Sequence, residues 1–384
     1  MDTRARQTVI VLGGGVGGVA TANRLRRRLA SEHRVVLVNK EPDFSFASSY
    51  LWVMSGDRRP DQVTRPLQRL ARRGIEVVIG QVEHIDPAER TVTVDGMTLT
   101  ADHLVVTLGA DWVTDRVPGL TETGHTFATL PGAHELAGRL GRIDSGRIVV
   151  VTAAPLYKCP AAPYEAAFFI DAGLRARGVR DRVELAVRSA EPAPMPVAGP
   201  AAGEALREIL AGRGIDYQPA TQITSAEPGR VTFAGVSEDA DLLVYMPPIA
   251  APAVVASSPL AADDGWIHAD PRTLGTGFPG VWAIGDNTQI MLAMGKPLPR
   301  AGVFAHDQAH VVADAIAATI AGKPAPGTFD GHGGCFIETG GGRAAYGAGN
   351  FYAEPTPTVR LRPPARRWHL GKVLFELNVM RRWL

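Results

Sequence analysis

The sequence predicts an α/β fold: two Rossmann-like dinucleotide-binding domains, then a C-terminal region ending in an amphipathic helix. Three observations predict it. Gly13-Gly14-Gly15-Val16-Gly17-Gly18 lies between the apolar run Thr8 to Leu12 and a helical stretch from Ala20 to Leu29. A second strand-turn-helix pattern begins at Ile148, with a cysteine turn where glycines would stand. Near the end, Leu370, Val373, Leu374, Leu377, Met380 and Leu384 recur at helical spacing.

The glycine run matches G-x-G-x-x-G, in which Gly13 permits the tight turn, Gly15 lets a pyrophosphate approach the backbone, and Gly18 lets helix pack on strand. The pyrophosphate would rest on the helix N-terminus. Val35 to Val38 is the next strand, and an acidic ribose ligand is expected at its end. Asn39-Lys40-Glu41 stands there instead, and Asn39 can still reach a ribose hydroxyl. Phe44 to Trp52 is aromatic and is expected to lie over the cofactor, while Leu67 to Arg73 reads as a basic helix. Ile75 to Val82 is a strand that brings Val82 close to an adenine, and Thr91 to Met97 is a hairpin around Asp95-Gly96. Ala101 to Ala110 returns to the sheet, with Gly109 and Ala110 allowing close approach to the cofactor.

The second unit carries Ile148-Val149-Val150-Val151, the turn Leu156 to Glu165, and a helix-length segment after it. No glycine lies between Val151 and Asp171, so a nicotinamide dinucleotide has no second fingerprint there; a thiol, Cys159, takes its place. Val183 to Val187 and Asp241 to Met246 continue this unit. Phe278 to Asp286 is then a strand ending in Gly285-Asp286, which would meet the ribityl or phosphate region, and a long helix runs from His306 to Ile320. The predicted division is 1–112 with 264–322 as the first domain, 113–263 as the second, and 323–384 as the C-terminal region. In the last, Cys335 falls in a glycine-rich loop, residues 355–364 form a proline-punctuated linker, and a helix runs from Trp368 to Leu384.

Composition excludes several classes. A formal charge of +1 gives no support for nucleic-acid binding. No apolar run approaches the roughly 18 residues of a membrane span. Two cysteines make neither a disulfide framework nor a thiolate metal site, so no metal is expected. The run Thr8 to Leu12 is too short for a signal sequence and leads into the glycine motif, which predicts a cytoplasmic protein. The terminal helix, with Trp368 and Trp383 and bracketed by Arg366, Arg367, Arg381 and Arg382, is expected to lie on a membrane surface. Docking on the protein's own core or on a second copy in a homo-oligomer is the alternative.

Taken in order, the fingerprint, Cys-Pro-x-x-Pro-Tyr-Glu at Cys159 to Glu165, Trp-Ala-Ile-Gly-Asp at Trp282 to Asp286 and Gly-Gly-Cys-Phe at Gly333 to Phe336 resemble the sulfide:quinone oxidoreductases. The flavoprotein subunit of flavocytochrome c sulfide dehydrogenase shares most of these features. The resemblance covers the whole chain. It implies a disulfide-reductase type of fold, FAD, sulfide and quinone as substrates, peripheral attachment to the cytoplasmic membrane, and Cys159 and Cys335 as a redox pair beside the flavin. Many members have a third cysteine, in some cases holding the flavin covalently; this chain has none, which implies non-covalent FAD. Arg300 stands where many members have a lysine near the flavin pyrimidine, keeping the positive charge. A histidine expected near Glu191-Pro192 is missing, and the proton-handling residue stays open.

The chemistry implied begins with sulfide attacking a bridge between Cys159 and Cys335, leaving a persulfide and a thiolate. A helix N-terminus lowers a thiol pKa, which assigns the flavin-side thiolate to Cys159 and the sulfane sulfur to Cys335. Glu165 is the candidate proton carrier, with His125 and His306 behind it, and Phe336, Phe351 and Tyr352 are candidates to line a quinone pocket. Three other functions compete: the same oxidation with a c-type cytochrome as acceptor, a type II NADH dehydrogenase, and a flavin redox sensor without turnover.

Overall fold

Continuous apolar runs suit strands buried on both faces, and the chain uses them to build two parallel sheets. The structure, a computed structural model, describes residues 6–384. In the first sheet the strand order is Val281–Ala283, His103–Val106, Thr8–Leu12, Arg34–Asn39 and Glu76–Ile79, all parallel. Ile10 pairs with Val36 on one side and Leu104 on the other. Helices Val16–Arg28 and Gly302–Ile320 pack on each other against this sheet, joined at the rim by Arg24 and Asp314 at 2.6 Å. The predicted hairpin is present as Thr91–Val94 and Met97–Thr100, its turn made by Asp95 and Gly96 at φ 45° and 76°.

The second sheet has the order Gly124–Thr126, Leu242–Met246, Gly146–Thr152, Val183–Arg188 and Asp216–Gln218, again parallel. Ile148 to Val151 are fully buried, and each such side chain contributes roughly 1.5–3 kcal/mol. Helix Ala162–Ala176 follows the cysteine turn and is buried along most of its length. The three strands Thr8–Leu12, His103–Val106 and Val281–Ala283 end at the same edge of their sheet, the edge where doubly wound sheets bind ligands.

The C-terminal region departs from expectation. Cys335 is not in a loop: His332–Gly340 and Arg343–Asn350 form a hairpin through Gly341 and Gly342, and Thr358–Ala365 adds a third antiparallel strand where a linker was expected. Glycine and alanine hid the alternation. A Cβ on Gly333 would come 2.4 Å from the Phe304 ring, and one on Gly334 would come 2.5 Å from the Tyr346 hydroxyl, so the strand is glycine-rich because both faces are tightly covered.

Helix Arg366–Arg382 docks in an unexpected sense. Lys372, Glu376, Val379 and Met380 face inward, while Leu370, Leu374, Phe375 and Leu377 are exposed. The expected apolar face is therefore split: Met380 and Leu384 are core, while Leu370, Leu374 and Leu377 lie outside. Polar residues turn inward because partners wait for them, with Glu376 meeting Arg58 at 2.8 Å and Ser49 at 2.7 Å. Both tryptophans expected at a membrane surface pack on protein, Trp368 against Tyr346 and Trp383 against His306.

Candidate active site

The glycine turn has the form a dinucleotide requires. Gly13 adopts φ +104°, and a Cβ there would lie 2.2 Å from the Thr107 carbonyl oxygen; one on Gly18 would lie 1.7 Å from the Gly13 oxygen. Gly15 has open space instead, at the N-terminus of helix Val16–Arg28. Gly109 and Gly285 adopt φ +77° and +75° at the ends of the neighbouring strands, and Gly109 also borders open space. Those three turns leave a bare-backbone crevice facing a positive helix end, so the residues fit an FAD-type group.

Not every predicted ligand is free to bind. The Asn39 side chain accepts from Gly14 N at 2.7 Å and donates to Glu41 O at 2.8 Å, bracing the glycine turn. Lys40 is exposed beside it. Val82 is a buried residue at the start of strand Val82–Asp86. The Ala110 oxygen accepts from Lys158 Nζ at 2.5 Å. Asp286 sits in the turn Gly285–Asn287, and its carbonyl accepts from Arg300 Nε at 3.0 Å. Arg300 is buried, stacks 3.8 Å over Trp266 and has its pKa lowered to about 10 by desolvation, against the pull of Asp286 and Asp264. Its own carbonyl accepts from Cys159 N at 2.8 Å, so the Arg300 loop and the cysteine turn are one unit. Lys158, beside Cys159, is the cation that sequence reasoning missed here. Desolvation lowers its pKa, opposed by Asp286 and Asp111.

Cys159 occupies a left-handed conformation, φ 55°, unusual for a side chain with a Cβ and a form of stored strain common at functional sites. Both cysteines are free thiols and line one cavity of about 80 Å³, together with Met195, Val197, Ile337 and Phe351. Strand alternation places the side chains: Cys335 and Ile337 line this cavity together with Gly333 and Gly334, while Phe336 packs the other way against Tyr346 and beneath Gly371. The three aromatics expected to share a pocket are thus separated. Phe351 lines the thiol cavity beside Phe304, whereas Tyr352 packs on Phe329 and donates to Pro271 O at 2.7 Å.

Behind the thiols lies a buried charge cluster. Glu165 Oε1 accepts from Lys372 Nζ at 3.1 Å and from Glu338 N at 2.8 Å, tying the cysteine helix, the Cys335 strand and the terminal helix together. His369 Nδ1 lies 3.0 Å from both oxygens of Glu338. Desolvation alone would lower the pKa of Lys372, but Glu165, Glu338 and Cys335 together raise it, so this buried amine stays charged. Glu338 is raised by burial and by Glu165, against Lys372 and His369. Lys372, Glu338 and His369 were missed as site residues because their partners are distant in sequence.

The thiol electrostatics correct one expectation. Cys159 was expected to be acidified by the helix N-terminus, yet burial, then Glu165 and Cys335, push it well above the ordinary thiol range, with Lys372 only partly opposing them. Helix Ala162–Ala176 begins past Cys159, and desolvation outweighs its dipole. Cys335 is pushed less, to about 11, by burial and Glu165 against Lys372, and it is exposed, so water softens even that shift. His125 pairs with Glu135 at 3.2 Å and His306 with Asp307 at 2.8 Å, and neither lines the cavity.

Two dinucleotide-type units around a thiol pair define an oxidoreductase. The chain belongs to the pyridine nucleotide-disulphide oxidoreductase family, whose model matches residues 7–309. Within that family, it is 30% identical over 261 residues to the sulfide-quinone reductase of Aquifex aeolicus, a match covering 65% of this chain and 60% of the relative. It is 22% identical over 367 residues to the mitochondrial sulfide:quinone oxidoreductase of Mus musculus, covering 91% and 79%. The solved sulfide:quinone oxidoreductase of Aquifex aeolicus superposes with a TM-score of 0.88 at 25% identity, covering 98% of this chain and 92% of that one. A chloroplastic or mitochondrial alternative NAD(P)H-ubiquinone oxidoreductase from Arabidopsis thaliana is also similar, at 24% over 364 residues.

Proposed function

We propose that this chain binds FAD without a covalent link and oxidises sulfide to sulfane sulfur through Cys159 and Cys335, passing the electrons to a membrane quinone. The observation that carries this reading is the pair of cysteines lining one apolar cavity, with Cys159 in the strand-to-helix turn where a nicotinamide site would stand. The turn supports the loss of the nicotinamide site, since Ala153, Pro155 and Lys158 stand at the fingerprint spacing after strand Gly146–Thr152 where glycines would have to be.

FAD would be held by Gly13, Gly15, Gly18, Gly109 and Asp286, with Arg300 and Lys158 as the cations nearby, and when bound it supplies the two-electron acceptor between thiols and quinone. The protein's own part is sulfur exchange. Hydrosulfide attacks the bridged form of the pair: one S–S bond breaks, another forms, and a persulfide and a thiolate remain. The weaker upward push on Cys335 favours it as the departing thiolate and leaves the persulfide on Cys159. Lys372 supplies the positive charge that offsets this thiolate, and Glu165 holds Lys372 in place. Anaerobic mixing tests the reading: sulfide should bleach the flavin rapidly, a short-chain quinone should restore it, and NADH should do neither. Rapid bleaching by NADH would overturn it.

The exposed stripe Leu370, Leu374 and Leu377, flanked by Arg366, Arg367, Arg381 and Arg382, supports membrane-surface attachment by the terminal helix. Among the described residues no helix is long and apolar enough to cross a membrane. Replacing Leu370 and Leu374 together by Glu should weaken co-sedimentation with anionic vesicles by roughly tenfold or more, with flavin reduction by sulfide retained. Equal co-sedimentation of the variant would exclude this face.

A further inference from the structure

Hydrogen sulfide must lose a proton to become a nucleophile, and the thiolate that sulfur exchange releases forms only once the S–S bond breaks, so the proton needs an acceptor before attack. Glu165 lies behind the thiols, its Oε1 already shared by Lys372 and Glu338 N, and it does not line the cavity. Among the described residues lining the cavity, Glu191 is the single ionisable group besides the two thiols.

Glu191 follows strand Val183–Arg188, near the position where a dinucleotide domain keeps its ribose-binding acid. Its backbone is fixed, with N donating to Ser189 Oγ at 3.2 Å and O accepting from Ala220 N at 2.8 Å. Its carboxylate is drawn inward: Tyr157 donates a short hydrogen bond to Oε2, and the Tyr164 hydroxyl lies 3.4 Å from the same atom. The Tyr157 hydroxyl also lies 3.4 Å from Pro160 O, which couples the carboxylate to the turn that carries Cys159. Arg188, at the end of that strand, is engaged by Asp216 and Glu238, and among the described residues no cation forms an ion pair with Glu191.

We propose that Glu191, held by Tyr157, is the base that ionises hydrogen sulfide inside the thiol cavity; this rests on the sulfide reading above. An apolar cavity admits the neutral molecule, while the nucleophile is the hydrosulfide anion. The step moves one proton and no electrons: hydrogen sulfide and the Glu191 carboxylate become hydrosulfide and the Glu191 carboxylic acid, which returns its proton to water. Burial raises Glu191 to about 7, against the hydrogen bonds from Tyr157 and Tyr164 and the more distant Lys296. That value matches a base working at neutral pH. Tyr157 and Tyr164 are pushed well above the ordinary tyrosine range by burial, Tyr217 is raised too, and so all three stay neutral. Cys159 and Cys335, also raised by burial, complete the titratable groups around the cavity.

The test is the pH profile of flavin reduction by sulfide in the wild-type holoenzyme, Glu191→Gln and Glu191→Asp, from about pH 5.5 to 9. A route needing both neutral hydrogen sulfide and a carboxylate gives a bell centred near pH 7 in the wild type. Glu191→Gln should fall about 100-fold near and below pH 7 and rise with pH as hydrosulfide accumulates, whereas Glu191→Asp should keep a lower bell. An infrared titration without sulfide supplies a second readout: a carboxylic-acid band disappearing near pH 7 in the wild type and missing in Glu191→Gln. Superimposable profiles, or no such band, overturn the assignment. A wild type that sulfide fails to reduce at any pH overturns the sulfide reading and this assignment with it, whatever the band shows.

Discussion

Cys159→Ser and Cys335→Ser are each expected to cut the rate of flavin reduction by sulfide by roughly three orders of magnitude or more, the scale of nucleophile deletions that act as a unit. Serine has the shape of cysteine but cannot form or break an S–S bond. Both variants should still bind the cofactor, because the glycine cradle at Gly13 to Gly18 lies on the first sheet and shares no side chain with the thiol cavity. Non-additivity is part of the expectation: the double variant should be no slower than either single one. Stopped-flow absorbance at equal flavin loading decides this. Full activity in either serine variant would leave the two cysteines incidental and the sulfur-exchange scheme without support.

The second large effect concerns stability. Lys372→Met should destabilise the protein by about 3–5 kcal/mol, the usual loss when one member of a buried ion pair is removed. Glu165 and Glu338, both buried, would then face each other without the amine that compensates them. Part of the loss should return in the Glu165→Gln, Lys372→Met double variant. The pH dependence has a defined sign. Glu338 is a carboxyl raised in the folded state, so its protonated form stabilises at low pH and that contribution is lost as pH rises through its folded value. Removing the amine takes away the charge that holds Glu338 down, so the deficit should shrink as the pH falls. Lys372 is itself raised above 10.5 and contributes until strongly alkaline pH. Alkylation of Cys335 at pH 9 should also slow, since the cation that lowers it is gone. Denaturant melts from pH 5 to 9 check the sign, and a deficit that grows on acidification would contradict it.

Much of this molecule was legible in the chain. Strands such as Thr8–Leu12 and Gly146–Thr152 announce themselves because parallel strands buried on both faces need unbroken apolar runs, and Gly13 and Gly18 announce the turn because no side chain fits there. The cysteine turn was equally plain, as the absence of glycine between Val151 and Asp171 is a local fact. The stretch from Gly333 through Gly349 was misread as a loop for an equally physical reason: glycines pressed against Phe304 and Tyr346 carry no hydrophobic period.

The sequence by itself therefore determined the order of the elements, the two dinucleotide-type units and the two cysteines, all properties of neighbouring residues and backbone sterics. Tertiary structure alone decided which charges surround those cysteines. Glu165 and Lys372 are 207 positions apart, and Glu338 N reaches Glu165 across 173. The terminal helix could have docked by its leucines or by its polar residues. Burial of the polar side won because Glu165, Glu338, Arg58 and Ser49 were already in place to satisfy it, and unpaired they would have made it too costly.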